Sequence, residues 1–135
     1  MPTEDLYPPR LVSEARFIET LAVEGGLAVS AGRHLARMLQ TLEAFGAPSP
    51  SLVLEEAERC ITSCLRTLSE EACQQIHRLT LTYTPSEIEA VRLIPYHRRS
   101  VRRLVPIELP TDFDYTYKYA DRSFFTEMSS RLGAD

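Results

Sequence analysis

The chain has 135 residues, with 15 Lys and Arg against 19 Asp and Glu, a formal charge of −4 and 44% hydrophobic residues; at this length roughly two-thirds of the unfolded surface can be buried, so a core needs neither metal nor disulfide. No apolar run approaches the ~18–20 residues that cross a bilayer, and the acidic start Met1-Pro2-Thr3-Glu4-Asp5 lacks the basic end and apolar stretch of a secretory signal. Three cysteines, an odd number, argue against a disulfide framework and for a reducing, cytoplasmic setting.

One domain, 1–135, is expected, with a helical body over about 9–94 and a basic turn and aromatic arm over about 95–135. After Pro8-Pro9, Leu11, Ala15, Ile18 and Ala22 recur at helical spacing with Phe17 and Leu21 beside them, which predicts an amphipathic helix ending near Gly25-Gly26. A second helix is expected from about Leu27 to Phe45, with Ala31, Leu35, Met38, Leu42 and Phe45 as its stripe and Gly46 and Pro48 as its stop. Small residues in its early part (Ala28, Ser30, Ala31, Gly32, Ala36) permit close helix approach, within the monomer or against a second copy of the chain. The third helix opens with Ser49 as cap and Pro50 at its first position, and buries Val53, Ala57, Cys60, Ile61, Cys64 and Leu65. Ser69, followed by Glu70 and Glu71, caps a fourth helix running through Ala72, Ile76 and Leu79. Its end is open, because Leu79, Leu81 and Tyr83 alternate with Thr80, Thr82 and Thr84 as in a short strand.

Thr84-Pro85-Ser86-Glu87 has the form of a capping box and predicts a fifth helix with Ile88, Val91 and Leu93 or Ile94 inward, closed by Pro95. A short helical piece around Ser100 to Val105 follows. Alternation of Val105, Ile107 and Leu109, then of Phe113, Tyr115, Tyr117 and Tyr119, predicts a hairpin or extended arm, its first strand confined to an edge by Pro106. A last helix, Ser123 to Leu132, ends at Gly133. The expected fold class is mainly α (α+β): about five helices, a short C-terminal β-hairpin or extended aromatic arm, and a terminal helix.

Three groups of residues invite a functional role. Cys60 and Cys64, and Cys73 and His77, are each four apart; on an antiparallel helical hairpin they would meet in two layers as a Cys₃His zinc site, against the alternative that the cysteines are small apolar core residues. The stretch from Arg92 to Arg103 holds Arg92, Arg98, Arg99, Arg102 and Arg103 and no acid, leaving ten basic against 19 acidic residues elsewhere. Such a dipole suits an acidic protein surface or nucleic acid, or is simply a solvated face. Six of the eleven aromatics lie between Phe113 and Phe125, as core or as an interaction surface rich in tyrosine. Fourteen of the 15 basic residues are arginine; Lys118 is the only lysine.

The run Thr84-Pro85-Ser86-Glu87-Ile88-Glu89-Ala90-Val91-Arg92-Leu93-Ile94 resembles the first helix of the helix-turn-helix of LuxR-type response regulators, and Ser100-Val101-Arg102-Arg103-Leu104 resembles its second. The resemblance implies nucleic-acid binding, but the recognition helix should follow Leu104, where Pro106 and Pro110 stand instead. No Gly-rich phosphate loop, G-x-S-x-G or H-E-x-x-H occurs, and His34, His77 and His97 fall on separate segments. The expectation is therefore a non-enzymatic cytoplasmic regulator or adaptor, of antagonist or immunity type, that binds another protein and self-associates. Arg98, Arg99, Arg102, Arg103, Tyr115, Tyr117 and Tyr119 are its candidate contacts. A nucleic-acid-binding regulator using the same arginines is the alternative; no cofactor is expected beyond zinc at the Cys/His set.

Overall fold

A computed structural model describes residues 15–97, 102–111 and 117–131. Its centre is a four-stranded antiparallel sheet built from β1 (Phe17–Glu24), β2 (Leu27–Ala28), β3 (His77–Tyr83) and β4 (Ile88–Pro95), in the order β2-β1-β3-β4. Two helices, α1 (Ala31–Ala44) and α2 (Pro50–Leu65), cover one face, and α3 (Ser123–Arg131) closes the described chain. The core lies between sheet and helices: Phe17, Leu21 and Val23 of β1 and Leu79, Leu81 and Tyr83 of β3 meet Met38 and Leu42 of α1 and Val53, Ala57 and Ile61 of α2. Each such side chain, fully removed from water, contributes about 1.5–3 kcal/mol.

The mainly helical expectation is thus wrong: among the described residues, three α-helices and a four-stranded sheet stand where about five helices, a hairpin or extended arm and a terminal helix were expected. The first expected helix is β1. Its odd-numbered residues Phe17, Glu19, Leu21 and Val23 all point into the core, but Glu19 is charged, while Ile18 and Ala22 on the other face are apolar. Those substitutions break the polar-apolar alternation and leave an accidental helical spacing. The second expected helix starts late, because Leu27 and Ala28 return along β1 after a two-residue turn at Gly25-Gly26, both with positive φ. The third has the expected start and length, α2 running from Pro50 to Leu65, but the Ser49 side chain makes no capping hydrogen bond, and Val53, Ala57 and Ile61 are buried while Cys60, Cys64 and Leu65 are only half-buried.

Of the fourth, only a short 3₁₀ turn, Ala72–Gln74, is helical. The Ser69 hydroxyl does accept from the Ala72 N–H at 3.0 Å, but the alternating residues beyond it form β3. The fifth is a strand. Thr84 Oγ1 accepts from the N–H groups of Ser86 (3.1 Å) and Glu87 (3.2 Å), as a helix cap would, yet the Thr84 N–H donates to the Glu87 carbonyl at 2.9 Å and closes a hairpin between β3 and β4. The same hydroxyl chemistry serves a turn when β-branched residues such as Ile88 and Val91 follow and a neighbouring strand is available. The likeness to a LuxR-type first helix ends with that finding. Residues 102–111 contain neither helix nor strand; Ser100, Val101 and the stretch from Asp112 to Thr116 lie outside the described residues. The terminal helix is present, with Leu132 and Gly133 outside the described residues.

Candidate functional site

The unusual feature of the core is a charge. Glu19 projects from the middle of β1 into the helix-covered face, and its side chain is 1% exposed. Burial of a carboxylate costs several kcal/mol unless it is paired and hydrogen-bonded. Here α1 supplies both needs from one side. Arg37 donates from Nε to Oε2 (2.9 Å) and from Nη2 to Oε1 (2.7 Å), and His34 Nδ1 lies 2.8 Å from Oε1. His34 and Arg37 are three apart on α1 and therefore share a face. Thr41, one further turn along, donates its hydroxyl to the Arg37 carbonyl at 3.2 Å and bonds the Tyr83 phenol. Burial pushes that phenol up to about 12.

The segment after residue 116 runs beside this cluster. It occupies the part of the β1 edge that the short β2 leaves open: the Ile18 N–H donates to the Lys118 carbonyl and the Ala120 N–H to the Arg16 carbonyl, both at 2.8 Å, with Phe17 and Tyr119 paired between them. The rings hold it there. Tyr119 packs 5.4 Å from Phe17, and Tyr117 meets Phe45 edge-on at 5.1 Å. Lys118, between the two tyrosines, is partly buried. Desolvation holds its amine below the usual lysine range, and Arg37 and Arg122 act in the same direction; Glu19 opposes them. Its side chain has no hydrogen bond or ion pair among the described residues. Glu19, His34 and Arg37 thus form a bonded cluster on the helix-covered face of β1, while Lys118 is paired beside Ile18 on the edge of the same strand.

The residues expected from the sequence lie mostly elsewhere. Arg92 is exposed on β4, Arg102 and Arg103 are exposed on a segment with neither helix nor strand, and Arg98, Arg99 and Tyr115 fall outside the described residues. Tyr117 and Tyr119 pack against the core, the first of the two alternatives raised for them. The Cys/His set does not assemble. Cys60 and Cys64 are on α2, where burial pushes the Cys60 thiol up, Cys73 sits in the 3₁₀ turn beneath Gly26, and His77 is buried on β3 with Nδ1 3.1 Å from the Gln75 carbonyl. The layered geometry needed two antiparallel helices, and the second is a strand. No group of three or more His, Cys, Asp or Glu able to hold a metal occurs among the described residues. Sequence reasoning passed over Glu19, His34 and Arg37 and read no role into Lys118, although a single lysine among fourteen arginines was the available signal.

No family model matches the sequence, and no curated protein matches it. Two solved structures share its fold. One, from Haemophilus somnus 129PT, provisionally described as a 4-amino-4-deoxychorismate lyase, aligns over 86% of this chain with a TM-score of 0.64 and 20% identity. The other, described in the same way, aligns over 98% with a TM-score of 0.61 and 23% identity. The chain spans 57% and 56% of the lengths of these two proteins. At such identity the likeness establishes the fold alone. The expectation of a mainly helical regulator or adaptor is corrected on that ground: the fold is not mainly helical, and the two solved structures that share it are described as lyases rather than as regulators or adaptors. No described helix is long and apolar enough to cross a membrane.

Proposed function

We propose that this chain contributes the lysine-bearing part of an enzyme that cleaves a bond in a substrate carrying an amine, with 4-amino-4-deoxychorismate the first substrate to try. Lys118 carries the reading. It is the chain's only lysine, its backbone is bonded to the edge of a core strand, and desolvation holds its amine below the usual lysine range. The unprotonated amine of a lysine is a nucleophile toward carbonyl carbon. The compound named for the structural neighbours brings an amine, so the carbonyl has to come from a carrier, and pyridoxal phosphate is an aldehyde carrier that enzymes hold on a lysine.

The surrounding residues fit an anionic aldehyde. Arg37 and Arg122 both bear on Lys118 electrostatically, and guanidinium is well matched to phosphate geometry. Lys118 would hold the carbonyl carbon, and the two arginines would balance the phosphate. Bound there, the group would supply an electron sink for cleavage beside the substrate nitrogen. Tyr117 and Tyr119, anchored on Phe45 and Phe17, fix the backbone on either side of Lys118. Fixing the backbone sets the point from which the lysine side chain reaches, a first part of the positioning that catalysis requires.

The test is turnover of 4-amino-4-deoxychorismate by the protein supplied with pyridoxal phosphate, followed by loss of substrate. Turnover is expected in the parent and a fall of more than about a thousandfold in Lys118→Ala. No turnover by the parent, or full turnover by the variant, would overturn the proposal.

A further inference from the structure

The strand register places Lys118 on the face of the sheet that α1 and α2 leave open. Tyr119 is paired with Phe17, so Lys118 stands beside Ile18, and Ile18 is in register with Thr82 on β3 and through it with Ala90 on β4. Paired residues project to the same side of a sheet, and this side is opposite the one on which Phe17, Leu21, Leu79 and Leu81 meet the helices. The same alternation brings two arginines to it. Arg92 on β4 is in register with Thr80, and Arg78 on β3 with Ile94, two residues on from Arg92. Arg78 and Arg92 are therefore diagonal neighbours on adjacent strands, with Cα atoms about 7–8 Å apart. Both are exposed, and neither side chain has a hydrogen bond or ion pair among the described residues. By contrast, Arg16, just before β1, is held by Glu89 at 2.8 Å. Like charges this close on one face repel, and an anion seated between them removes the repulsion.

We propose that Arg78 and Arg92 form a carboxylate-binding site on the Lys118 face of the sheet, which takes an acid group of the amine-bearing substrate. This rests on the reading of Lys118 as the covalent group. A strand spacing of about 4.8 Å and a rise of about 3.4 Å per residue put the Cα atoms of both arginines about 16–17 Å from that of Lys118. Lysine and arginine side chains each span part of that distance, so the interval between amine and guanidiniums is of small-molecule size. The half-buried Thr20, Thr80 and Thr82 floor it and offer hydroxyls rather than charge. No acid stands in the register rows between the lysine and the arginines, so an anionic ligand meets no like charge there. Guanidinium presents its N–H donors as a fork that matches a carboxylate, which fixes orientation as well as affinity. The acid group of the substrate is held over β3 and β4, and its amine is turned toward Lys118.

The experiment follows the backbone amide signals of β3 and β4 by NMR during titration with succinate, a dicarboxylate with no aldehyde or ketone to engage Lys118, at constant ionic strength. Saturable shifts centred on Arg78, Thr80 and Arg92 are expected, and none with dimethyl succinate. Arg78→Gln and Arg92→Gln should each weaken binding about tenfold or more. Arg33→Gln, on α1, should leave it unchanged, and Lys118→Ala should leave it within about twofold. Both arginines are exposed, so their variants keep the fold, which the dispersion of the same spectra checks. Three results overturn the proposal: no saturable shift in the parent, an equal loss in Arg33→Gln, or inorganic phosphate binding at the pair more tightly than succinate. The titration does not need the reaction. Succinate binding without turnover leaves the carboxylate site standing and removes the functional reading alone. Turnover whose KM is unmoved in the double variant Arg78→Gln with Arg92→Gln removes this proposal alone.

Discussion

Glu19 shows why single residues decide both the fold and the site. A carboxylate at the centre of a core strand is tolerated only because Arg37 and His34 reach it. Arg37→Met should therefore destabilise the protein by up to about 3 kcal/mol, tempered because the guanidinium is half exposed, and by more than Glu19→Gln, which removes the charge with its partner left at the surface. Urea melts of the two variants check the order. Tyr83 makes a prediction of its own. Its hydroxyl is raised to about 12 from an ordinary value of 10, so the folded state keeps a proton that the unfolded state loses. Stability contributed by that burial is complete below pH 10 and is lost as pH rises from 10 to about 12, by roughly 2–3 kcal/mol in all. Denaturant midpoints measured across that window should fall, and Tyr83→Phe should flatten the fall; an equal fall in the variant would assign it to other groups.

At the scale of elements, the hairpins explain which parts of the fold were legible. α2 was, because a first-turn proline and a long apolar stripe have no competing use. β3 was half legible, since its threonine-leucine alternation is clean. β1 was not, because the charged Glu19 in its inner row and the apolar Ile18 and Ala22 in its outer row break the alternation. β4 was hidden by a Thr-Pro-Ser-Glu sequence whose hydroxyl satisfies the same N–H groups in a turn as in a helix cap. The β1–β2 turn yields a further prediction. Gly26 has φ +78°, and a Cβ there would lie 2.9 Å from Cys73 Sγ. Gly26→Ala should lower stability by more than about 1 kcal/mol, and adding Cys73→Ala should recover the steric part while leaving the backbone strain. Gly25, with open space around it, should accept Asn at a cost well below 1 kcal/mol, because Asn tolerates its φ of +61°.

Over the whole molecule, sheet and helices form a two-layer body, and the chain returns after residue 116 to lie along the open part of the β1 edge. That return is long-range and leaves no trace in local periodicity: the spacing of Tyr117 and Tyr119 announces an extended segment, but only the fold shows that it lies beside Phe17. The site was therefore illegible in the sequence, for its members come from β1, α1 and a segment some hundred residues beyond β1. The exposed Arg102 and Arg103 of the basic stretch are not part of it. The central claim is that Lys118 is the covalent group of this assembly. The direct measurement is to incubate the protein with pyridoxal phosphate, trap the adduct by borohydride reduction and map it by peptide mass spectrometry. The account predicts stoichiometric modification of Lys118 in the parent and none at position 118 in Lys118→Arg. Labelling confined to the amino terminus, with Lys118 left unmodified in the folded protein, would contradict it.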